Sequence, residues 1–112
     1  EGTAAVQQFV HIGQHAFIAG GSLVRKNVPP YVKAAREPLS YVGVNTIGLR
    51  RRGFNDQQII NVEDIYRVIY VQNSNMTTAL NVADLELPKS DEKEVVLDFI
   101  RNSTKGIMRG LS

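Results

Sequence analysis

The chain has 112 residues, 43% of them apolar and 21% charged, with a net charge of +2 and no cysteine. That suffices for one ordinary domain, or a small domain and part of another, and it excludes disulfide staples and Cys-ligated metal sites. The weakly basic balance falls short of a nucleic-acid-binding composition, and the lack of cysteine fits a reducing, cytoplasmic compartment.

Residues 5–24, AVQQFVHIGQHAFIAGGSLV, hold three Gln and two His but no Asp, Glu, Lys or Arg. The N-terminus lacks the basic region and apolar run of a signal peptide. A membrane span is also set aside, because Gln7, Gln8, His11, Gln14 and His15 would lie in hydrocarbon. The protein reads as soluble. Aliphatic residues recur every six positions, at Val6, Ile12, Ile18 and Val24, each preceded two places earlier by Ala4, Val10, Ala16 or Ser22. Such a beat predicts short strands separated by turns, three hexads to a triangular coil, with coils stacked as a β-solenoid. Stacking about 4.8 Å apart would set like charges over one another, which explains their absence. Solenoids need about three repeats for stability, so the stretch reads as the tail of a longer one.

The beat is expected to stop at Val28, where VPPYV lacks the amide donors of a stacked strand. Residues 31–44 read as a crossing loop with Arg36, Glu37 and Pro38 at its turn. NTIGLRRRGF predicts a two-turn helix capped by Asn45 and stopped at Gly53. A second helix opens at Asn55, with Gln58 completing a capping box and Ile59, Val62, Tyr66 and Ile69 forming its inner stripe. A third covers TTALNVADLEL, with Leu80, Val82, Leu85 and Leu87 available to the core. Ser90 caps a fourth, whose acidic residues gather in the first turns and whose Val95, Phe99 and Ile100 face inward. The division is thus residues 1–36, terminal solenoid coils, and 37–112, a small helical domain.

Solenoid tail, VPPYV and then GVNTIGLRRRGF leading into a helix, with RNSTKGIMRG at the end, closely resemble the C-terminal part of the UDP-N-acetylglucosamine O-acyltransferases that begin lipid A biosynthesis. The resemblance implies a homotrimer of left-handed parallel β-helices followed by helices. It implies transfer of a 3-hydroxyacyl chain from acyl carrier protein to the sugar 3-hydroxyl of UDP-N-acetylglucosamine, without a cofactor. The site would lie between subunits, with a histidine as general base and a backbone amide stabilising the oxyanion. That histidine belongs to coils upstream of Glu1, so no catalytic residue is expected in this chain.

Residue by residue, the resemblance makes Gln8 an acyl-chain contact and Gly20 the end of the acyl groove, where glycine admits a long chain. Asn45, Arg51 and Arg52 would face the nucleotide sugar, guanidinium being suited to phosphate by its planar fork. From the residues alone, Gln8 is equally an exposed polar residue, Gly20 a corner glycine, and the arginine run a solvated face; Arg50 is a candidate contact for the acidic carrier. The chain departs from the family at Gln7, usually histidine, and at Thr46 and Ile47, where an acidic residue is usual. His11 and His15, four apart, are read as outward-facing solenoid residues rather than metal ligands. The competing readings are the later N-acyltransferase of the same pathway, a nucleic-acid-binding module, and a non-catalytic trimerisation tail.

Overall fold

The six-residue beat folds into short strands that meet again after one circuit of the chain. The computed structural model describes residues 5–6 (backbone only), 10–21, 23–36, 39–72, 75–103, 106–108 and 110. β1 (Ala5–Val6) pairs in parallel with β3 (Leu23–Val24), Ala5 opposite Leu23, an offset of 18 residues. β2 (Phe17–Ile18) pairs in parallel with β4 (Val32–Ala35), and Ile12 bridges Val28; both of these offsets are 16 residues.

The repeat therefore does not stop at Val28, as its spacing suggested. It loses two residues between Val24 and Val28 and then resumes, with Ala34 opposite Ile18. Register in a parallel ladder is fixed by which residues sit opposite one another, so a deletion at a turn is absorbed there. Val24, Val28 and Val32 are fully buried by this second circuit. Ile18 is half-buried, whereas Ile12 is 40% exposed. Pro29 and Pro30 do lack amide donors, but they occupy a corner between ladder contacts. Gly13 N–H donates to Val28 O, Val28 N–H to His11 O, and Tyr31 N–H to Gln14 O, all within 2.7–2.9 Å. Gly13 lies directly against the proline corner, where a Cβ would sit 2.4 Å from Pro30 N and 2.7 Å from its Cα.

The expected crossing loop at 31–44 is instead a hairpin. β5 (Ser40–Val44) runs antiparallel to β4, with Lys33 opposite Gly43 and a bulge between Lys33 and Ala34. The strand alternation is present in VKAA, where Val32 and Ala34 are buried and Lys33 is exposed, but it is too short to stand out in the sequence. β5 thus joins β2 and β4 in one three-stranded sheet, although it lies beyond residue 36.

Among the described residues four α-helices follow: α1 (Thr46–Arg51), α2 (Asp56–Tyr66), α3 (Met76–Glu86) and α4 (Asp91–Arg101). Asn45, Asn55, Asn75 and Ser90 cap them, each side chain accepting a backbone N–H three residues on, and Asn55 with Gln58 completes the capping box. α2 ends in a π-helical turn, Arg67–Val71, and the stripe Ile59, Val62, Tyr66 and Ile69 is buried along both.

Two details differ from expectation. Leu85 is 85% exposed, because the phase of α3 turns Ala79 and Ala83 inward instead. In α4 the fully inward residues are Val96, Leu97 and Ile100, while Val95 and Phe99 are half-buried. Buried Lys93 donates to Asp84 O and Leu87 O, both at 2.9 Å, and so satisfies carbonyls at the end of α3.

Tyrosines tie the helices to the rest of the chain. Tyr66 Oη donates to Pro30 O at 2.6 Å, and Tyr70 Oη to Met108 O at 2.8 Å. Tyr41, Tyr66 and Tyr70 stack with ring centroids 4.5–6.0 Å apart. Burial, helped by Glu63 and opposed by Arg67, pushes the Tyr41 hydroxyl up to about 12; burial raises Tyr66 and Tyr70 as well, so the last two remain neutral donors. Past α4 the chain returns to the second circuit. Asn27 N–H donates to Gly106 O (2.9 Å), Met108 N–H donates to Asn27 O (3.0 Å), and Ile107 bridges Asn27 in parallel. Among the described residues no helix is long and apolar enough to cross a membrane.

Candidate functional site

The junction between β5 and α1 is built around Asn45. Its backbone N–H donates to Tyr31 O at 2.7 Å, and its backbone O accepts from Leu49 N–H at 2.9 Å. Its side chain does two things at once: Oδ1 accepts from Gly48 N–H (3.3 Å) and Nδ2 donates to His15 O (3.1 Å). Oδ1 keeps a second lone pair and Nδ2 a second hydrogen, so a ligand contact is compatible with this duty. Gly48 is required here, since a Cβ would fall 2.4 Å from Asn45 Nδ2.

Around this hinge lies a cavity of about 340 Å³ lined by Phe17, Lys33, Asn45, Ile47, Gly48, Arg51 and Arg52. The structure brings together three of the five residues expected to bind substrate: Asn45, Arg51 and Arg52. Arg51 closes the last turn of α1 and Arg52 is its C-cap, before Gly53 at φ 92° ends the helix. Arg50, one position earlier, points elsewhere and pairs with Asp56 outside the cavity. The arginine run therefore divides into a structural pair and two cavity residues. Among the described residues no carboxylate lines the cavity; Ile47, 66% exposed, stands where an acidic residue was expected from the family.

Gly20 lies at the exposed turn after β2, and the left-handed corner residue there is its neighbour Gly21, at φ 81°. Gln8 and Gln7 fall outside the described residues. His15 is not the outward residue expected. It is half-buried, with its ring stacked 5.9 Å from Tyr31 and edge-on to Phe54 at 5.2 Å. Burial, and then the Arg52 charge, hold it below the ordinary histidine value, which favours the neutral ring beside the cavity. Tyr31 is fixed in the same cluster and accepts from Gln14 Nε2 at 3.3 Å. His11 is exposed. Among the described residues no group of three His, Asp or Glu could hold a metal ion.

Phe17, Lys33 and Gly48 were not anticipated. Lys33 would have emerged had the repeat been carried across the prolines, since it is the ladder partner of Phe17.

The whole arrangement has close counterparts. The chain is 37% identical over 108 residues to the acyl-[acyl-carrier-protein]–UDP-N-acetylglucosamine O-acyltransferase of Myxococcus xanthus, covering 96% of this chain and 42% of that protein. It is 36% identical over 104 residues to the enzyme of the same name from Halorhodospira halophila, covering 93% of this chain and 40% of that one. Among solved structures, the UDP-N-acetylglucosamine acyltransferase of Bacteroides fragilis superposes with a TM-score of 0.91 at 45% identity over 95% of this chain and 42% of its own. The Francisella novicida enzyme gives 0.88 at 34% identity, over 95% of this chain and 39% of its own. The chain thus spans about two-fifths of the length of these relatives. Residues 27–108 match the family described as UDP N-acetylglucosamine O-acyltransferase, Domain 2, and the chain belongs to that family.

Proposed function

We propose that this chain supplies the nucleotide-sugar side of an acyltransferase that moves a 3-hydroxyacyl group from acyl carrier protein to the 3-hydroxyl of UDP-N-acetylglucosamine, in the cytoplasm. The observation that carries the reading is the cavity at the foot of α1, which gathers Arg51, Arg52 and Asn45 with no opposing carboxylate among the described residues. Two guanidinium groups suit a diphosphate, because each presents charged donors in a fixed fork. Asn45 would orient the sugar or nucleoside while holding the hinge. The general base and the rest of the acyl groove lie in residues beyond this chain, so the activity belongs to the longer protein.

The parallel offsets of 18 and 16 residues support a β-helix, here read as left-handed and trimeric, with the division into residues 1–36 and 37–112 expected from the sequence. Gln8 and Gly20 are assigned to the acyl chain. The corner conformation falls to Gly21, which leaves Gly20 available for the role of ruler. Gly20→Met should accordingly shift preference toward shorter acyl chains, as measured by product yield across donors of several lengths; an unchanged profile would remove Gly20 from that role. The assignment as a whole is tested by incubating the full-length protein with UDP-N-acetylglucosamine and 3-hydroxyacyl carrier proteins. The 3-O-acyl product is expected, and its absence with every chain length would sink the reading. The exposed Asp56 and Glu63 on α2 disfavour nucleic acid as the ligand of the neighbouring arginines.

A further inference from the structure

One wall of the cavity is a row of three residues directly opposite one another across three strands: Phe17 on β2, Lys33 on β4 and Gly43 on β5. Ladder partners point to the same side of a sheet, so Phe17 and Lys33 share its outer face. Both are exposed, whereas Val32 and Ala34 on either side of Lys33 are buried. Lys33 lies beside Gly43. A Cβ there would be 3.8 Å from Lys33 Cε, so the aliphatic stem lies over a strand position that carries no side chain. Lys33 then lines the same cavity as Arg51 and Arg52.

We propose that Lys33 is a third phosphate-binding cation of this cavity, acting with Arg51 and Arg52 on the diphosphate of the nucleotide sugar. The proposal rests on the function proposed above and deepens it. Three positive side chains line a space of about 340 Å³, and among the described residues no carboxylate lines it to offset them. A compact dianion supplies that offset. The alternative anion, the acidic surface of the carrier protein, is too large to enter a space of that size and would meet Lys33 only at the rim. The ammonium adds a point charge to the two forks, a division of labour in which the arginines set orientation and the lysine adds attraction.

The test is steady-state kinetics on the full-length enzyme with each substrate varied in turn. Lys33→Met should raise the KM for UDP-N-acetylglucosamine roughly five- to tenfold, the size expected for losing one partly exposed charge on phosphate. The KM for the acyl carrier protein and kcat should stay near wild type. Lys33→Arg should recover most of the loss, and the gap between wild type and Lys33→Met should narrow at about 0.5 M salt, where screening is strong. An unchanged nucleotide-sugar KM in Lys33→Met, alongside a raised one in Arg51→Ala, overturns the role of Lys33 while leaving the function standing. A rise confined to the KM for the carrier protein overturns it in favour of a docking contact. Absence of product from the wild-type enzyme overturns both.

Discussion

Arg51→Ala is expected to raise the KM for UDP-N-acetylglucosamine by about one to two orders of magnitude with a much smaller change in kcat. The estimate follows from the roughly 1.5–3 kcal/mol typical of hydrogen bonds to a charged group, at about 1.4 kcal/mol per factor of ten. The loss should fall on KM because phosphates carry the same charge in the ground and transition states, so the contact binds both alike. Arg51→Lys should recover only part of it, since an ammonium keeps the charge but loses the two-pronged geometry. Arg50→Ala is the control. That side chain is paired with Asp56 on the surface, so its removal should leave the nucleotide-sugar KM unchanged and cost no more than about 1 kcal/mol of stability. If Arg50→Ala and Arg51→Ala shift KM equally, the run acts as a diffuse charged face and the cavity assignment fails.

Gly13→Ala should be the more damaging change to the fold. The added methyl would be aimed at the backbone of Pro29 and Pro30, atoms that cannot swing away as the end of a side chain can. Overpacking of this kind costs about 1–3 kcal/mol where side chains can yield, and backbone contact places this case at or above the upper end. Thermal unfolding of the full-length protein should show a clear drop in midpoint. Gly53→Ala offers a contrast: its φ of 92° makes alanine strained, but nothing lies within 4 Å of the new Cβ. A smaller loss there, of about 1 kcal/mol, would separate backbone strain from collision.

The helices were legible because their signals are local. Asn55 with Gln58, and Ser90 before an acidic turn, state their own boundaries within four residues. The parallel strand pairing was legible only while the beat stayed at six. Once two residues were lost before Val28, the pattern depended on pairing between residues 16 apart, which no window of neighbouring residues displays. The prolines then argued for a break although they needed no donors at a corner. At the cavity, Arg51 and Arg52 were found through a resemblance, whereas the arginine run alone reads as one charged face; Asp56, the partner that sets Arg50 apart, lies six positions on, at the start of α2. Lys33 was hidden by the same two-residue slip that hid β4. Leu85 was misread because hydrophobicity was weighed above helical phase, and small Ala79 and Ala83 took the inner face.

The return of residues 106–108 onto Asn27 also bears on how the protein reaches its native state. Asn27 and Ile107 are 80 positions apart, while the ladder pairs inside the solenoid are separated by only 16 or 18. Closing the longer loop requires four intervening helices to be placed first, and contacts of such sequence separation form late and slowly. During synthesis the backbone of Asn27 emerges long before its partner, and until then it is an open strand edge, the kind that recruits other chains. Substitutions that weaken the late contact, for instance at Met108 or at the Tyr70 hydroxyl that holds its carbonyl, should therefore appear first as lower soluble yield, before any loss of activity per folded molecule.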